Sequence, residues 1–317
     1  MYMRLGLILI LLFSLFGCGQ PKGAGNLENV GLLVPETIDD QVWGTEGYKG
    51  LLKIQSELGV DVFYKEGMND ENKVRAAIDE FKDDGVNLIF GHGSEYASFF
   101  HTLSKNYPDI HFVLFNQAVD GENITSLNFK SHAMGFFGGM VAGEMSKTEK
   151  VGILAAFEWQ PEIDGFFEGA YYQNENVHVD IQYVQNWNDT TTAMRLLDEM
   201  IASNIDTVYV AGDGYNVPVI EKLKEEGLYA IGYVSDQSDL GKGAVLTSTV
   251  QHLDVLYEVV ATEFSEGKLK SGELYFDFQD DVISLGEFSP LVEKEFQSKL
   301  NEYILEYKKN GLLPNQM

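Results

Sequence analysis

Short apolar runs alternate with longer amphipathic stretches along the chain from Asn29 onward. Runs such as Val30–Val34 and His111–Phe115 are apolar nearly throughout, rather than at every second position. This pattern is typical of parallel strands that are covered by helices on both faces. The stretches between them, of which Glu71–Asp83 is an example, have the spacing of amphipathic helices. The pattern therefore predicts an α/β protein made of repeated strand–helix units.

The strand–helix series runs once and then starts again. The first series ends with a predicted strand at Ile124–Phe129, and a helix at Ala133–Met145 leads into the second series. Two such series predict two doubly wound parallel sheets, one in each lobe, joined by a hinge. An extended stretch at Leu274–Phe288 and a final helix ending near Asn310 fit chain that crosses back between the lobes. The predicted division is residues 30–128 plus 248–272 for the N-terminal lobe and 129–247 plus 273–317 for the C-terminal lobe.

The first residues indicate export. Arg4 precedes a short apolar run, Leu5–Phe13, that fits the hydrophobic region of a secretory signal and is too short to span a bilayer. The segment Leu15–Cys18 resembles a bacterial lipobox, in which the cysteine is diacylated and becomes the mature N-terminus. We expect a signal peptide over residues 1–17, lipidation of Cys18, a tether over 18–29, and a folded part at the extracytoplasmic face of the cell membrane. An uncleaved anchor, or a plain signal with an unmodified thiol, is the alternative.

The charge balance excludes some partners and some chemistry. The chain has 22 Lys and Arg against 49 Asp and Glu, a formal net charge of −27. Association with nucleic acid would begin against electrostatic repulsion, so we expect no direct nucleic-acid partner. Cys18 is the single cysteine of the sequence, which excludes an intramolecular disulfide and a cysteine-based metal site.

Residues suited to ligand contact follow several predicted strands, where open parallel sheets bind ligands. Two glycine-containing loops, Gly91–Glu95 and Ala211–Asn216, each join a strand to a helix, so their backbone N–H groups can face a ligand. Ser94 is also placed to cap its helix. A plain tight turn explains each loop equally well. The aromatic rings of Trp43, Trp159 and Tyr215 are suited to packing on a flat ligand, although ordinary burial would also account for them.

Signals of catalysis are weak. The six histidines are scattered without ligand-like pairing, and neither a G-x-S-x-G elbow nor a phosphate-binding Walker loop occurs. Asp39 and Asp40 are adjacent, so their side chains diverge, and helix capping by Asp40 explains them best. We therefore expect a protein that is not an enzyme and that has no metal or cofactor.

The residues resemble those of one family. Ile38–Trp43 together with Tyr48–Leu51 is similar to the opening motif of the basic membrane protein family. That family comprises lipoproteins whose best-understood member is a purine-nucleoside receptor of type I periplasmic-binding fold. Further matches follow in the family's order and cover essentially all of the mature chain: Tyr107–Asp109, Asn123–Ser126, Gly138–Gly143, Ile231–Gln237 and Leu246–Val250. The resemblance implies the same fold and a small-molecule ligand.

The resemblance also implies an altered nucleoside-type cleft. Trp43 stands where the family has a phenylalanine that stacks on the base, and Tyr215 lies near the opposing aromatic. The family has asparagine, aspartate, aspartate and lysine, in that order, at Gly44, Asn116, Val234 and Gln251. Loss of such polar partners weakens binding of a polar ligand steeply. The candidate ligand contacts are Asp40, Trp43, Gly93, Ser94, Asn116, Trp159, Gly212, Asp213, Tyr215, Asp236 and Gln251.

Two functional interpretations stay open. Val42–Thr45, Gly91–Tyr96 and Gly212–Pro218 resemble a branch of the family that promotes competence in bacilli, which implies a lipid-anchored receptor with a regulatory role. The alternative is the substrate-binding lipoprotein of an ABC importer for nucleosides or related small molecules. The protein partner would then be a signalling membrane protein or an ABC permease. A DNA-binding regulator in the cytoplasm would need an uncleaved signal, and the sequence has neither a basic face nor a helix-turn-helix signature.

Overall fold

A computed structural model describes residues 26–39 and 42–317. The predicted signal peptide, the lipidation site Cys18, most of the predicted tether and the candidate contact Asp40 lie outside the described residues.

Strands and helices alternate along nearly the whole described chain. The strands are β1 (Asn29–Leu33), β2 (Val62–Lys65), β3 (Val86–Gly91), β4 (His111–Phe115), β5 (Ile124–Phe129), β6 (Lys150–Ala155), β7 (His178–Tyr183), β8 (Thr207–Ala211), β9 (Tyr229–Val234), β10 (Val245–Gln251), β11 (Gly272–Phe276) and β12 (Ile283–Leu285). The helices are α1 (Trp43–Leu58), α2 (Glu71–Asp83), α3 (Tyr96–Leu103), α4 (Ser131–Met145), α5 (Pro161–Gln173), α6 (Thr190–Ala202), α7 (Asn216–Glu225), α8 (Leu253–Ser265) and α9 (Lys294–Asn310).

The strands form two sheets with matching order. In the N-terminal lobe the order is β11-β5-β4-β3-β1-β2, and every pairing is parallel. In the C-terminal lobe it is β12-β10-β9-β8-β6-β7, parallel except for β12, which runs antiparallel to β10. Position by position, β1 corresponds to β6, β3 to β8, β4 to β9 and β5 to β10. The predicted architecture of two doubly wound α/β lobes is confirmed.

The chain crosses between the lobes at places other than those predicted. Residues 248–251, assigned to the N-terminal lobe, belong to β10 in the C-terminal sheet. Residues 273–276, assigned to the C-terminal lobe, belong to β11, which pairs with Thr125–Phe129 in the N-terminal sheet. The stretch Leu274–Phe288 is therefore two strands in different sheets, separated by a 3₁₀ turn at Phe278–Asp280 that Asp277 caps. These boundaries were wrong because extended chain looks alike in sequence whichever sheet receives its hydrogen bonds.

Local signals set several helix ends. The side chain of Asp70 accepts hydrogen bonds from the backbone N–H groups of Asn72 and Lys73 at the start of α2. Asp189 does the same for α6 through Thr192. Gly59 and Gly311 end α1 and α9 in the left-handed conformation that glycine adopts without strain.

Helices α4 and α5 pack backbone to backbone in the C-terminal lobe. A methyl group added at Gly139 would overlap the carbonyl oxygen of Phe166, and one added at Gly169 would overlap that of Phe136. Glycines on both helices therefore allow an approach that no larger residue permits. α4 leads from β5 of the first sheet to β6 of the second, and the start of α5, packed against it, lies at the space between the lobes.

Candidate functional site

A cavity of about 670 Å³ lies between the two lobes. Its walls are the segments that follow the carboxyl ends of the strands: β1, β3, β4 and β5 on one side, and β6, β7, β8, β9 and β10 on the other. This is the position at which open parallel sheets bind ligands. Its size suits a small molecule.

All three tryptophans of the chain line this cavity. Trp43, the first residue of α1, comes from the N-terminal lobe, and Trp159 and Trp187 come from the C-terminal lobe. Phe157 joins the latter two, with ring centroids 5.5 Å from Trp159 and 5.4 Å from Trp187. Trp159 keeps 58% of its surface exposed even though it belongs to this cluster. Both lobes therefore offer large aromatic surfaces to one space.

The Trp43 ring is held by His92. The two rings stack at 4.3 Å, and the indole Nε1–H donates to the backbone oxygen of His92 at 3.3 Å. The imidazole Nε2 lies 2.6 Å from the Trp43 carbonyl, which can only accept, so Nε2 carries the hydrogen. Nδ1 then accepts from the Tyr257 hydroxyl at 2.9 Å. Buried partners therefore fix the position of the indole before any ligand arrives.

A hydrogen bond between described residues joins the lobes at the cavity itself. The backbone N–H of Trp43 donates to Oδ1 of Asp213 at 3.1 Å, from the start of α1 to the loop after β8. A carboxylate at a helix N-terminus is favoured by the helix dipole and by the N–H groups that have no partner inside the helix. Asp213 therefore links Trp43, and with it the start of α1, to the opposite lobe.

Carboxylates dominate the charge of the cavity wall. The described lining residues include four acids and neither lysine nor arginine; the acids are Glu36, Glu95, Glu162 and Asp213. Glu162 is only 3% exposed, and it accepts hydrogen bonds from the Tyr233 hydroxyl at 2.8 Å and from Nε2 of Gln160 at 3.0 Å. Burial raises the pKa of the Glu162 carboxyl. The described wall thus offers hydrogen-bond acceptors, and it has neither lysine nor arginine to repel a cation.

Gln251 adds an unsatisfied acceptor. It ends β10, lines the cavity, and is 5% exposed. Its side-chain Oε1 is buried and receives no hydrogen bond from the described residues. Buried polar atoms normally have partners, so this oxygen is available to a donor that enters the cavity.

Two wall residues at equivalent places adopt a left-handed backbone. Asn116, directly after β4, has φ of 58°, and Val234, at the end of β9, has φ of 65°. Asparagine tolerates this region, whereas a β-branched residue there is strained. Strain of this kind concentrates at functional sites.

The structure brings most of the predicted contacts together. Those that line the cavity are Trp43, Gly93, Ser94, Asn116, Trp159, Asp213 and Gln251. Gly212, Tyr215 and Asp236 are absent from the described lining. Ser94 also does not cap α3, because Glu95 occupies the N-cap position and no side-chain hydrogen bond is made there. Whether the lining residues bind a ligand stays a prediction.

Tyr215, predicted to oppose Trp43, lies in the core of the C-terminal lobe. It is 0% exposed and packs in one cluster with Leu154, Val210 and Val219. Its ring folds over Gly212, where any side chain would collide with it. Asp236 stabilises a turn instead, because its carboxylate accepts from the backbone N–H groups of Ser238 and Glu287.

The sequence analysis missed two wall residues that the structure makes prominent. Trp187 lies in the loop that follows β7, so the rule that selected the other strand ends would have found it. Glu162 follows Pro161 at the start of α5, where an acidic residue usually signals only favourable helix-end electrostatics. Nothing in the sequence marks that particular acid as buried.

The described residues contain no group of three or more His, Cys, Asp or Glu side chains placed to hold a metal ion. Across residues 26–39 and 42–317, none of the helices is both long and apolar enough to cross a bilayer.

Comparison with known proteins gives consistent matches. The family described as ABC transporter substrate-binding protein PnrA-like matches residues 27–317. The chain is 52% identical to Transcriptional activator protein med of Bacillus subtilis over 314 residues, 99% of each chain. It is 27% identical to Basic membrane protein A2 of Borrelia garinii, covering 93% of this chain and 91% of that one.

Solved structures show the same fold. The crystal structure of a transcriptional activator of the comK gene from Bacillus halodurans superposes with a TM-score of 0.85 at 52% identity, covering 90% of this chain and 99% of that one. A solute-binding protein of an ABC transporter system from Aeropyrum pernix gives a TM-score of 0.73 at 18% identity, over 92% and 82% of the two chains, and indicates the fold alone.

Proposed function

Because the chain belongs to the PnrA-like family of ABC transporter substrate-binding proteins, we propose that it is an extracytoplasmic receptor that holds a small, flat molecule between its lobes. The observation that carries this proposal is the cavity lined by all three tryptophans and bridged by the hydrogen bond from Trp43 to Asp213. Aromatic faces from both lobes can enclose a flat ligand, and closure then removes it from water.

The cleft is altered from the nucleoside type. Asn116, Val234 and Gln251 are uncharged where the family resemblance implies aspartate, aspartate and lysine, and all three line the cavity. A site that has lost such partners binds the original ligand weakly. We therefore expect ordinary purine nucleosides to be poor ligands.

The role we propose is regulatory and promotes competence. The 52% identity to a Bacillus protein named as a transcriptional activator supports this role. The net charge of −27 opposes direct DNA binding, so regulation would pass through a signalling membrane protein. Delivery of a ligand to an ABC permease is the second candidate, favoured by the family's description as substrate-binding proteins.

We further propose that Cys18 carries a lipid that anchors the protein to the cell membrane. Replacing Cys18 with Ala should release the protein into the medium or stall its processing, as seen by cell fractionation. A Cys18→Ala protein that fractionates with the membrane as the original does would contradict the anchor.

Thermal unfolding with candidate ligands tests the receptor proposal. A ligand at a hundredfold excess over its Kd stabilises the fold by about 2.7 kcal/mol, which raises Tm by roughly 5 °C for a chain of this size. The full chain in mild detergent should show small shifts or none with inosine and guanosine. Submicromolar affinity for either nucleoside would show that residues other than Asn116, Val234 and Gln251 recognise the ligand. It would also favour import over regulation.

A genetic comparison separates the two roles. Cells carrying Trp43→Ala at the native locus should lose the regulatory output while nucleoside uptake stays unchanged. Loss of uptake with normal regulation would favour the importer.

A further inference from the structure

We propose that the cavity selects an organic cation and rejects anions, with Glu162 as the buried counter-charge. This inference rests on the proposed function, because it names the chemical class of ligand for the same cleft. It starts from the charge of the wall: four carboxylates line the cavity, and neither lysine nor arginine occurs among the described lining residues.

The burial of Glu162 distinguishes this wall from an ordinary acidic surface. A carboxylate in water needs no partner, but Glu162 is 3% exposed. Its partners Tyr233 and Gln160 are neutral donors, and within the described chain no Lys, Arg or His nitrogen lies within 4.0 Å of it. Burying an ionised carboxylate without an opposite charge is costly. A cation in the cavity would supply the missing charge.

The aromatic walls suit the same ligand. The faces of tryptophan rings attract cations, and Trp is the best of the aromatic side chains for this interaction. Trp159 and Trp187 stand on the lobe that carries Glu162, and Trp43 stands on the other lobe. A flat or methylated cation can therefore contact rings from both sides while its charge faces the carboxylate.

Gln251 gives an independent indication. Its buried Oε1 lacks a hydrogen-bond donor among the described residues, although the residue lines the cavity. β10, which Gln251 ends, pairs with β9, which carries the Glu162 partner Tyr233. Two acceptors thus lie near the ends of adjacent strands, and a ligand with N–H groups would satisfy the open one.

The same wall residues disfavour anionic ligands. A phosphate or carboxylate would meet an acidic wall with neither lysine nor arginine among the described lining residues, in a partly desolvated space where repulsion is stronger than in water. Nucleotides should accordingly bind less well than the matching nucleosides.

Two pairs of closely matched probes test the effect of charge. The compounds 1-methyladenosine and N6-methyladenosine have the same composition, but the first carries a positive charge at neutral pH and the second does not. Choline and 3,3-dimethylbutan-1-ol form a second pair, in which carbon replaces the quaternary nitrogen. Binding of each compound and of AMP to the full chain in detergent would be measured by isothermal titration calorimetry.

We expect at least one cation to bind tenfold or more tightly than its neutral partner, and AMP to bind least. Glu162→Gln should remove most of this preference, because it should weaken the cation more than its neutral partner. Glu158→Gln is the matched control, because Glu158 is exposed and lies outside the described lining. The preference in the unaltered protein tests the inference even where Glu162→Gln fails to fold.

Other outcomes separate the two proposals. If the neutral partners bind as well as the cations, and Trp43→Ala weakens them, the charge inference is wrong and the receptor proposal stands. If neither cation binds, the charge inference is wrong, whereas the receptor proposal fails only if no candidate ligand stabilises the chain in the thermal unfolding test. A cation preference that Glu162→Gln leaves intact, in a folded variant, would overturn the role of Glu162.

Discussion

The two lobes share a strand order, but equivalent loops in them direct different side chains to the cavity. The loops after the corresponding strands β3 and β8, Gly91–Tyr96 and Ala211–Asn216, both turn and start a helix. Glu95 in the first loop lines the cavity, whereas its counterpart Tyr215 lies in the core. Topological equivalence therefore predicts where a loop lies but not which of its side chains faces the ligand.

A second difference concerns helix packing. The pairs α1–α8 and α4–α5 occupy corresponding positions in the two lobes. In the N-terminal lobe the glycine Gly50 faces the side chain of Tyr257, whereas in the C-terminal lobe Gly169 faces the carbonyl of Phe136. Side chains can rotate to relieve a collision, and helix backbones must separate. The C-terminal lobe should therefore tolerate a larger residue at these helix-packing glycines less well than the N-terminal lobe.

The largest expected effect follows from that packing. Gly169→Ala should destabilise the protein by about 3 kcal/mol, the upper end of the overpacking range, because the added methyl meets backbone. The measurement is the urea midpoint of unfolding. Gly243→Ala is the matched control, since the space around Gly243 is open. Equal midpoints for the two variants would show that the helices separate at no cost.

The next largest expected effect is a difference between the lobes in how acid changes their contribution to stability. Burial lowers the pKa of His111 in the N-terminal lobe to about 4 from 6.5, whereas it raises the pKa of Glu162 in the C-terminal lobe. Unfolded His111 binds a proton more readily than folded His111, so its contribution is complete above pH 6.5 and is lost as the pH falls to 4. This amounts to about 2–3 kcal/mol. Glu162 acts in the opposite sense, because the folded state binds its proton more readily.

Unfolding free energies at pH 7.5 and pH 4.5 check this window. His111→Gln keeps a donor for the Thr125 hydroxyl, which His111 Nε2 contacts at 2.8 Å, but it cannot take up a proton. The variant should lose less stability than the original protein over this range. Identical losses would mean that other groups account for the acid sensitivity.

Ligand affinity should distinguish Trp43 from Tyr215. Trp43→Ala should weaken binding of the best ligand by about 1–3 kcal/mol, on analogy with base–aromatic stacking. Tyr215→Phe should leave affinity unchanged, because the hydroxyl is buried away from the cavity and has no hydrogen-bond partner in the described chain. Calorimetry of the two variants would measure both. A Tyr215→Phe variant with clearly weaker binding would support the sequence-based prediction that Tyr215 opposes Trp43 across the ligand.

The smallest effect concerns the paired left-handed residues. Asn116→Val should cost about 1–2 kcal/mol, because it places a β-branched side chain at a φ of 58°. Val234→Asn relieves the same strain but removes an apolar side chain that is 2% exposed, so its net change should be near zero. Thermal unfolding of both variants measures the difference, and equal, large losses would argue against strain at Val234.

Much of the fold could be predicted from local patterns. The predicted bounds of α2, β4 and β5 coincide with the structure, since each has clear periodicity and distinct end signals. The resemblance to the basic membrane protein family is confirmed by the family match over residues 27–317. The placement of β11 was missed because its partner, β5, lies far away along the chain. The burial of Tyr215 was missed because only tertiary packing decides which way the ring turns.

The central claim is that one ligand is held between tryptophans from both lobes. Since all three tryptophans line that cavity, titration of the full chain with a stabilising ligand, followed by tryptophan fluorescence, tests it directly. The emission should change in a saturable way, with the Kd found by calorimetry, and the change should be smaller in Trp43→Ala. A ligand that raises Tm yet leaves tryptophan emission unchanged would bind elsewhere and contradict the account.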